Sequence, residues 1–416
     1  MSPETRAMNG RPLLSLVLLG GVFVMEGFDI AAMALAVPRL TDMGLDPAGF
    51  GWVFTALLVG LGAGGALLAP LGDRFGRRML IVGGCVITGA ATLATSTAGS
   101  ITEFLVWRFV TGLALGACLP NVSALSAELA PDRLRATIMA VVSAGIPLGI
   151  AIAGLTAPEI IDLGGWQGLF IAPGAMAVAL AVALWLILSG ERPPAEDVKP
   201  GEKRAKLPQL VLFSAPWLFP FMVFATMLAL NALNLYLLNS WLPTVLPQAG
   251  MTLDDAARVS GVVQLAGLAI GIGASLLLDR WHKAWTLVLL FGAMAVCFAG
   301  VFVTAPDPVM WTVLLCVGVG GASAGGMVLP GLCAYLFPAR LLSSAVGMGV
   351  LVARLGAFAG PPLGGWMLAN EIPAQTFLGV AALPALACVV VALLVPAALK
   401  RREAVEAKAE AEKAFG

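Results

Sequence analysis

Charge is scarce in this chain. Only 12% of its 416 residues are Asp, Glu, Lys or Arg, where soluble domains carry about a quarter. The formal net charge is zero, so no general attraction to nucleic acid is expected. Histidine is nearly missing: His282 is the only one, in a loop beside Arg280 and Lys283, and no His-x-x-x-His pair or paired-Asp metal motif occurs. An intramembrane enzyme, which needs a nucleophile and base or metal ligands within reach, lacks its parts here. The six cysteines (Cys85, Cys118, Cys297, Cys316, Cys333, Cys388) all fall in apolar runs without metal-ligand spacing and read as small core residues. The Gly-rich runs 60–65 and 318–326 are not phosphate loops, because they sit inside apolar spans and no Gly-Lys-Ser/Thr follows them. They let helices approach closely. A membrane sensor would need an output domain, and the 17 residues of Lys400–Gly416 do not supply one.

What the chain has in quantity is apolar length. It is 59% hydrophobic, with a mean hydropathy of +0.95. A helix needs roughly 20 apolar residues to cross the hydrocarbon core. Runs of that length are placed near 13–38, 49–71, 79–97, 102–126, 136–158, 166–189, 211–240, 256–278, 284–304, 309–334, 341–363 and 375–398. The expected fold class is an all-α membrane protein of twelve transmembrane helices. The run after the short polar Met1–Arg11 is too long for a signal segment, so it is expected to stay as the first helix. Residues 190–208, rich in Pro, Lys and Glu, read as a solvated linker. The tail 400–416 is charged all round and is expected to be a solvated or frayed helix with no site of its own.

With the N-terminus inside, 20 of the 24 Lys and Arg fall on one side. Arg39 and Arg258 fall at the other face, and Arg108 and Arg354 lie within helices. That asymmetry predicts two cytoplasmic termini. The sequence also repeats. Asp73-Arg74 recurs as Asp279-Arg280, 206 residues on; Pro131-Asp132-Arg133 as Pro338-Ala339-Arg340, 207 on; Val37-Pro38 as Leu242-Pro243, 205 on. The expected organisation is two pseudo-symmetric six-helix bundles, 1–189 and 209–399, with a midplane site between them, as in known transporters.

Inside the first run stand two carboxylates, Glu26 and Asp29, three residues apart and hence on one helix face. A carboxylate at mid-membrane costs about 2.5–3.5 kcal/mol on insertion scales, so it marks a functional site by default. The 205-residue offset puts Asn231 and Asn234 in the matching places of the second half. The loop Ala69-Pro70-Leu71-Gly72-Asp73-Arg74-Phe75-Gly76-Arg77-Arg78 is the most specific stretch, a Gly-assisted turn with one acid and three arginines at a membrane edge.

That loop resembles the G-x-L-A-D-R-x-G-R-K/R pattern of the major facilitator superfamily, with Ala69 and Gly72 as the departures. Glu26-Gly27-Phe28-Asp29 resembles the D-G-F-D of its aromatic acid:proton symporters. Arg108 through Gly116, Pro120 and Glu128-Leu129-Ala130-Pro131 resemble that family's fourth helix and following loop. Ser240-Trp241-Leu242-Pro243-Thr244 with Gly250, and Arg354-Leu355-Gly356-Ala357 with Gly360-Pro361, resemble its helices seven and eleven. The linker is the exception, for Glu191-Arg192-Pro193-Pro194 is a poor match.

The resemblance implies a proton-coupled importer of a small aromatic carboxylate in a bacterial inner membrane, working as a monomer without a cofactor. Asp29, Glu26 and Arg108 are the expected proton-coupling residues; the alternative is a pair held permanently in a structural network. Arg354 is favoured for the substrate carboxylate, because a guanidinium recognises it with two hydrogen bonds and keeps its charge. Asn231, Asn234 and Gln264 are expected to hydrogen-bond substrate, or else to join helices. Phe28 and Tyr236 either stack on a ring or pack. Asp73, Arg74, Arg77, Arg78, Glu128 and Arg133 are expected to form an inner gate. Rival readings within the superfamily are a sugar or sialic-acid symporter and a drug:proton antiporter. The antiporter's Gly-x-x-x-Gly-Pro-x-x-Gly-Gly pattern is present only as the fragment Gly145-Ile146-Pro147-Leu148-Gly149.

Overall fold

A computed structural model describes residues 10–131, 134–188 and 211–415. Those residues are helical with short connections. Among them eleven helices are long and apolar enough to cross a membrane, and one of the eleven is two helices joined. The spans are α1 (Gly10–Asp42), α2 (Pro47–Ala63, continued by a π-helical turn Gly64–Leu68), α3 (Arg77–Thr95) and α4 (Ile101–Leu129). Next come α5 (145–163) and α6 (166–187), which meet at Gly164 and Gly165, where φ of Gly165 is +64°. Only a residue without a Cβ takes that conformation readily. The second half holds α7 (Ala215–Val245), α8 (Leu253–Arg280), α9 (Lys283–Val303), α10 (Pro308–Leu336), α11 (Ala339–Ala369) and α12, built of Ala374–Gly379, Ala382–Ala392 and Val395–Phe415 end to end. The fold is thus the expected all-α membrane architecture of twelve spans.

Local sequence sets the starts. Asp46 accepts a hydrogen bond from the Ala48 N–H at 3.0 Å, with Pro47 opening α2. Ser100 accepts from Glu103 N–H while Glu103 accepts from the N–H of Gly99, just before the cap, at 2.7 Å, a variant of the capping box that begins α4. Asp307 and Pro308 repeat the Asp-Pro device at α10. The tail is helical and largely exposed where described, in keeping with expectation, and it is tied down at one point. The last helix runs on past 400 to Phe415, and Arg402 donates to the carbonyls of Ala334 and Tyr335 at 3.1 and 2.7 Å. Those carbonyls end α10 and would otherwise be orphaned.

The described residues fall into two compact units. The first takes residues 10–188 together with Ser240–Pro247 and Thr252–Val262; the second takes the remainder of 211–415. In the first, Arg39 pairs with Asp254 at 3.4 Å and Arg258 with Glu159 at 3.2 Å, so both cations of the less basic face have carboxylate partners.

Each unit is assembled by glycine on backbone, and the pattern recurs. In the first unit a Cβ at Gly149 of α5 would sit 2.0 Å from the Val24 carbonyl of α1. In the second, a Cβ at Gly356 of α11 would sit 2.0 Å from the Ala229 carbonyl of α7. Gly60 of α2 against α4 is matched by Gly267 of α8 against α10. Lipid offers no hydrophobic drive for helix association, so such close contacts carry the packing. Gly27 is the sharpest case, because its Cβ would lie 2.0 Å from the Ile146 carbonyl oxygen. Gly27→Ala is expected to destabilise the protein by about 1–3 kcal/mol, the usual cost of over-packing. A thermal melt in detergent checks it, and an unchanged midpoint refutes the contact.

Candidate functional site

α1 turns Gly27 onto α5, and this aims Glu26 and Asp29 away from that contact into the first unit. Asp29 is 0% exposed and Glu26 3%. Arg108 of α4, also 0% exposed, meets Asp29 with two parallel bonds: Nη1 donates to Oδ2 at 2.8 Å and Nη2 to Oδ1 at 3.1 Å. The Thr92 hydroxyl of α3 donates to Oδ1 at 2.9 Å, and Thr95 lies 3.4 Å from Nη2. The Phe170 ring stands 5.3 Å from the guanidinium carbon. Phe50, Phe104 and Trp166 continue that aromatic wall one turn along α4. A charged pair this deep is maintained only when geometry and extra hydrogen bonds offset the lost hydration. Here the carboxylate has three donors. Thr92, Thr95 and Phe170 were not singled out by sequence, although Thr88, Thr92 and Thr95 stand at helical spacing on one face of α3.

The second unit carries amides where the first carries carboxylates. Asn231 donates to the Ala322 carbonyl of α10 and Asn234 to the Ala381 carbonyl before the middle segment of α12, each at 3.0 Å. Both amide oxygens are buried and lack a hydrogen bond. The two side chains therefore join helices with their NH2 groups and keep one acceptor each. Gln264 of α8 donates to Asn239 at 2.8 Å and accepts from Ser323 at 2.9 Å. Neither partner was named from sequence. Asn239 lies eight residues after Asn231 on the same face of α7, and Ser323 lies within the Gly-rich run of α10. Phe28 is buried in the first unit and Tyr236 half-buried in the second. Arg354 is half-buried in α11, and among the described residues it has no ion pair or hydrogen bond. Among the described residues, Arg108 is paired with a carboxylate and Arg354 is not.

At the 70–78 turn, Arg77 donates to Glu128 at the end of α4. Arg78 instead turns to α6, donating to the Trp185 carbonyl and lying 4.2 Å from the Trp185 ring centroid. Arg74 is exposed. Arg133 and the side chain of Asp73 lie outside the described residues. The Gly72 departure has a structural reason: a Cβ there would lie 1.9 Å from Oδ1 of Asn121, whose amide donates to the Ala69 carbonyl at 3.1 Å.

The family model described as Major Facilitator Superfamily matches residues 17–361. A 4-hydroxybenzoate transporter of Pseudomonas putida is 29% identical over 415 residues, covering 91% of this chain and 88% of that protein. A 3-(3-hydroxy-phenyl)propionate transporter of Escherichia coli is 30% identical over 375 residues, covering 89% of this chain and 90% of that protein. Among solved structures, a bacterial homolog of the human lysosomal transporter Spinster, inward-facing and occupied, superposes with a TM-score of 0.77 at 17% identity, covering 93% of this chain and 97% of that one. A D-xylose-proton symporter superposes with a TM-score of 0.71 at 17% identity, over 92% and 96%. Twelve spans, a repeated helix-packing pattern and a family match over most of the length lead to one conclusion: this chain belongs to the Major Facilitator Superfamily and is a multi-pass membrane transporter, not an enzyme.

Proposed function

We propose that the protein is a proton-coupled importer of a small aromatic carboxylate, of the hydroxybenzoate class, in a bacterial inner membrane with both termini in the cytoplasm. The observation that carries the coupling is the fully buried Asp29–Arg108 pair. A proton and the Arg108 guanidinium compete for the same two carboxylate oxygens, so proton loading requires the pair to separate. The Thr92 hydroxyl can stay with the carboxylate in either state, because a hydroxyl both donates and accepts. Glu26, one turn away on the same face, is a second proton site. The substrate class rests on the relatives, which are named for transport of 4-hydroxybenzoate, 3-(3-hydroxy-phenyl)propionate and gallate. Arg354 receives the substrate carboxylate, while the acceptor oxygens of Asn231 and Asn234 suit a ring hydroxyl donor. Gln264, Phe28 and Tyr236 complete the proposed contacts, and the Arg77–Glu128 pair is the core of a proposed cytoplasmic gate to which Asp73, Arg74, Arg78 and Arg133 contribute charge in the same loops.

The test is uptake of labelled 4-hydroxybenzoate into proteoliposomes with and without an imposed inside-alkaline pH gradient. Accumulation only under the gradient is expected. Absence of aromatic-acid uptake, with proton-driven expulsion of a cationic dye, would replace this reading by the antiporter.

A further inference from the structure

α3 has two working faces. One carries Thr88, Thr92 and Thr95 toward the ion pair. The other, with Met79, Gly83 and Ile87 at four-residue spacing, lines a groove of about 320 Å³ shared with α2 and α4. Val110, Leu113 and Ala117 form its α4 wall, and every side chain lining it is apolar. Phe75, Met79 and Ile87 are at least half exposed although large and apolar. At the head of the groove α2 makes its π-helical turn, where the Ala69 N–H bonds the Gly64 carbonyl at 2.9 Å. Such turns are rare and concentrate at functional sites. Gly64 there meets the Leu113 carbonyl backbone to backbone, which closes the groove between α2 and α4.

The mouth carries charge. Of the three arginines in the turn, Arg77 is held by Glu128 and Arg78 by Trp185. Arg74 is exposed, adjoins groove-lining Phe75, stands three residues from groove-lining Leu71, and has no ion pair or hydrogen bond among the described residues. An apolar trough with an exposed guanidinium next in sequence to its lining fits a ligand with an alkyl chain and an anionic head. We infer that this groove seats one acyl chain of an anionic phospholipid whose phosphate pairs with Arg74. Arginine suits phosphate through its planar fork of donors, and basic residues at a membrane edge are a recurrent basis of lipid recognition.

The test uses vesicles of phosphatidylethanolamine and phosphatidylglycerol containing a trace of phosphatidylglycerol with a photoreactive acyl chain. Label is expected on α3 around Met79 and Ile87. Gly83 has open space where its Cβ would stand, so Gly83→Leu fills the groove without displacing neighbours. It is expected to lower labelling about tenfold, as loss of roughly two buried methylenes from the contact predicts. Gly292→Leu in α9, at an equally open glycine, is expected to leave labelling unchanged. Ile87→Trp fills the same groove from its exposed side and serves if Gly83→Leu does not fold. Arg74→Gln is expected to abolish the preference of phosphatidylglycerol over phosphatidylcholine as competitor. Labelling indifferent to both groove-filling variants, or competed equally by phosphatidylcholine in the native protein, would mean ordinary annular lipid contact and overturn the site.

Discussion

Asp29→Asn is expected to abolish gradient-driven accumulation and to destabilise the protein, and the two effects can be separated. The substitution keeps the shape but removes the charge facing Arg108 and turns one of its two acceptor oxygens into an amide donor. An uncompensated buried guanidinium costs about 3–5 kcal/mol. Arg108 has only one carboxylate bonded to it, so nothing else in its described surroundings takes over. The informative variant is Asp29→Asn with Arg108→Leu, which removes both charges. Replacing a buried ion pair by neutral groups is often close to neutral for stability. The double variant should therefore recover the melting temperature and still fail to accumulate substrate against a gradient. If it recovers accumulation as well, the pair only holds α1, α3 and α4 together, and proton coupling lies elsewhere.

Arg354→Lys is expected to raise the KM for 4-hydroxybenzoate about tenfold to a hundredfold with little change in kcat. A lysine keeps the charge but loses the two-pronged geometry, and one hydrogen bond to a charged group is worth about 1.5–3 kcal/mol. Because Arg354 has no ion pair among the described residues, the substitution should leave the melting temperature within error. Arg108→Lys makes the contrast, for it disturbs a two-bond pair already present and should lower stability and coupling together. A KM within twofold of the native value for Arg354→Lys would remove Arg354 from the carboxylate site. Together the two experiments order the arginines by role, the one paired with Asp29 for coupling and Arg354 for the anion.

Several features of the site were legible before any coordinates. Glu26 and Asp29 stand out because a carboxylate has no ordinary reason to lie in a run of apolar residues. Arg108 stands out for the same reason, as a charge inside an apolar run. Their partners are a different matter. Thr92 is an unremarkable residue in an apolar helix until Asp29 is set 2.9 Å from its hydroxyl. Asn239 and Ser323 gain meaning only from Gln264 between them. The glycine of Glu26-Gly27-Phe28-Asp29 carries no charge to announce it, yet it fixes which way both carboxylates face. Arg78 could not be separated by sequence from Arg77, but it bonds Trp185 of α6 and not Glu128.

The sequence by itself determined the number of spans, the repeat and the identity of the intramembrane ionisable residues. Each of these depends on one-dimensional quantities: how long an apolar run is, how landmarks are spaced, and where charge interrupts hydrocarbon. The tertiary structure decided which donors and acceptors meet, because that depends on helix rotation about its own axis. Rotation is set by backbone-close glycine contacts such as Gly27 on Ile146 and Gly356 on Ala229. Residues more than a hundred positions apart fix it jointly, and no local pattern records it. Hence the sequence could name both intramembrane arginines and propose a role for each, and only the fold showed which one meets a carboxylate.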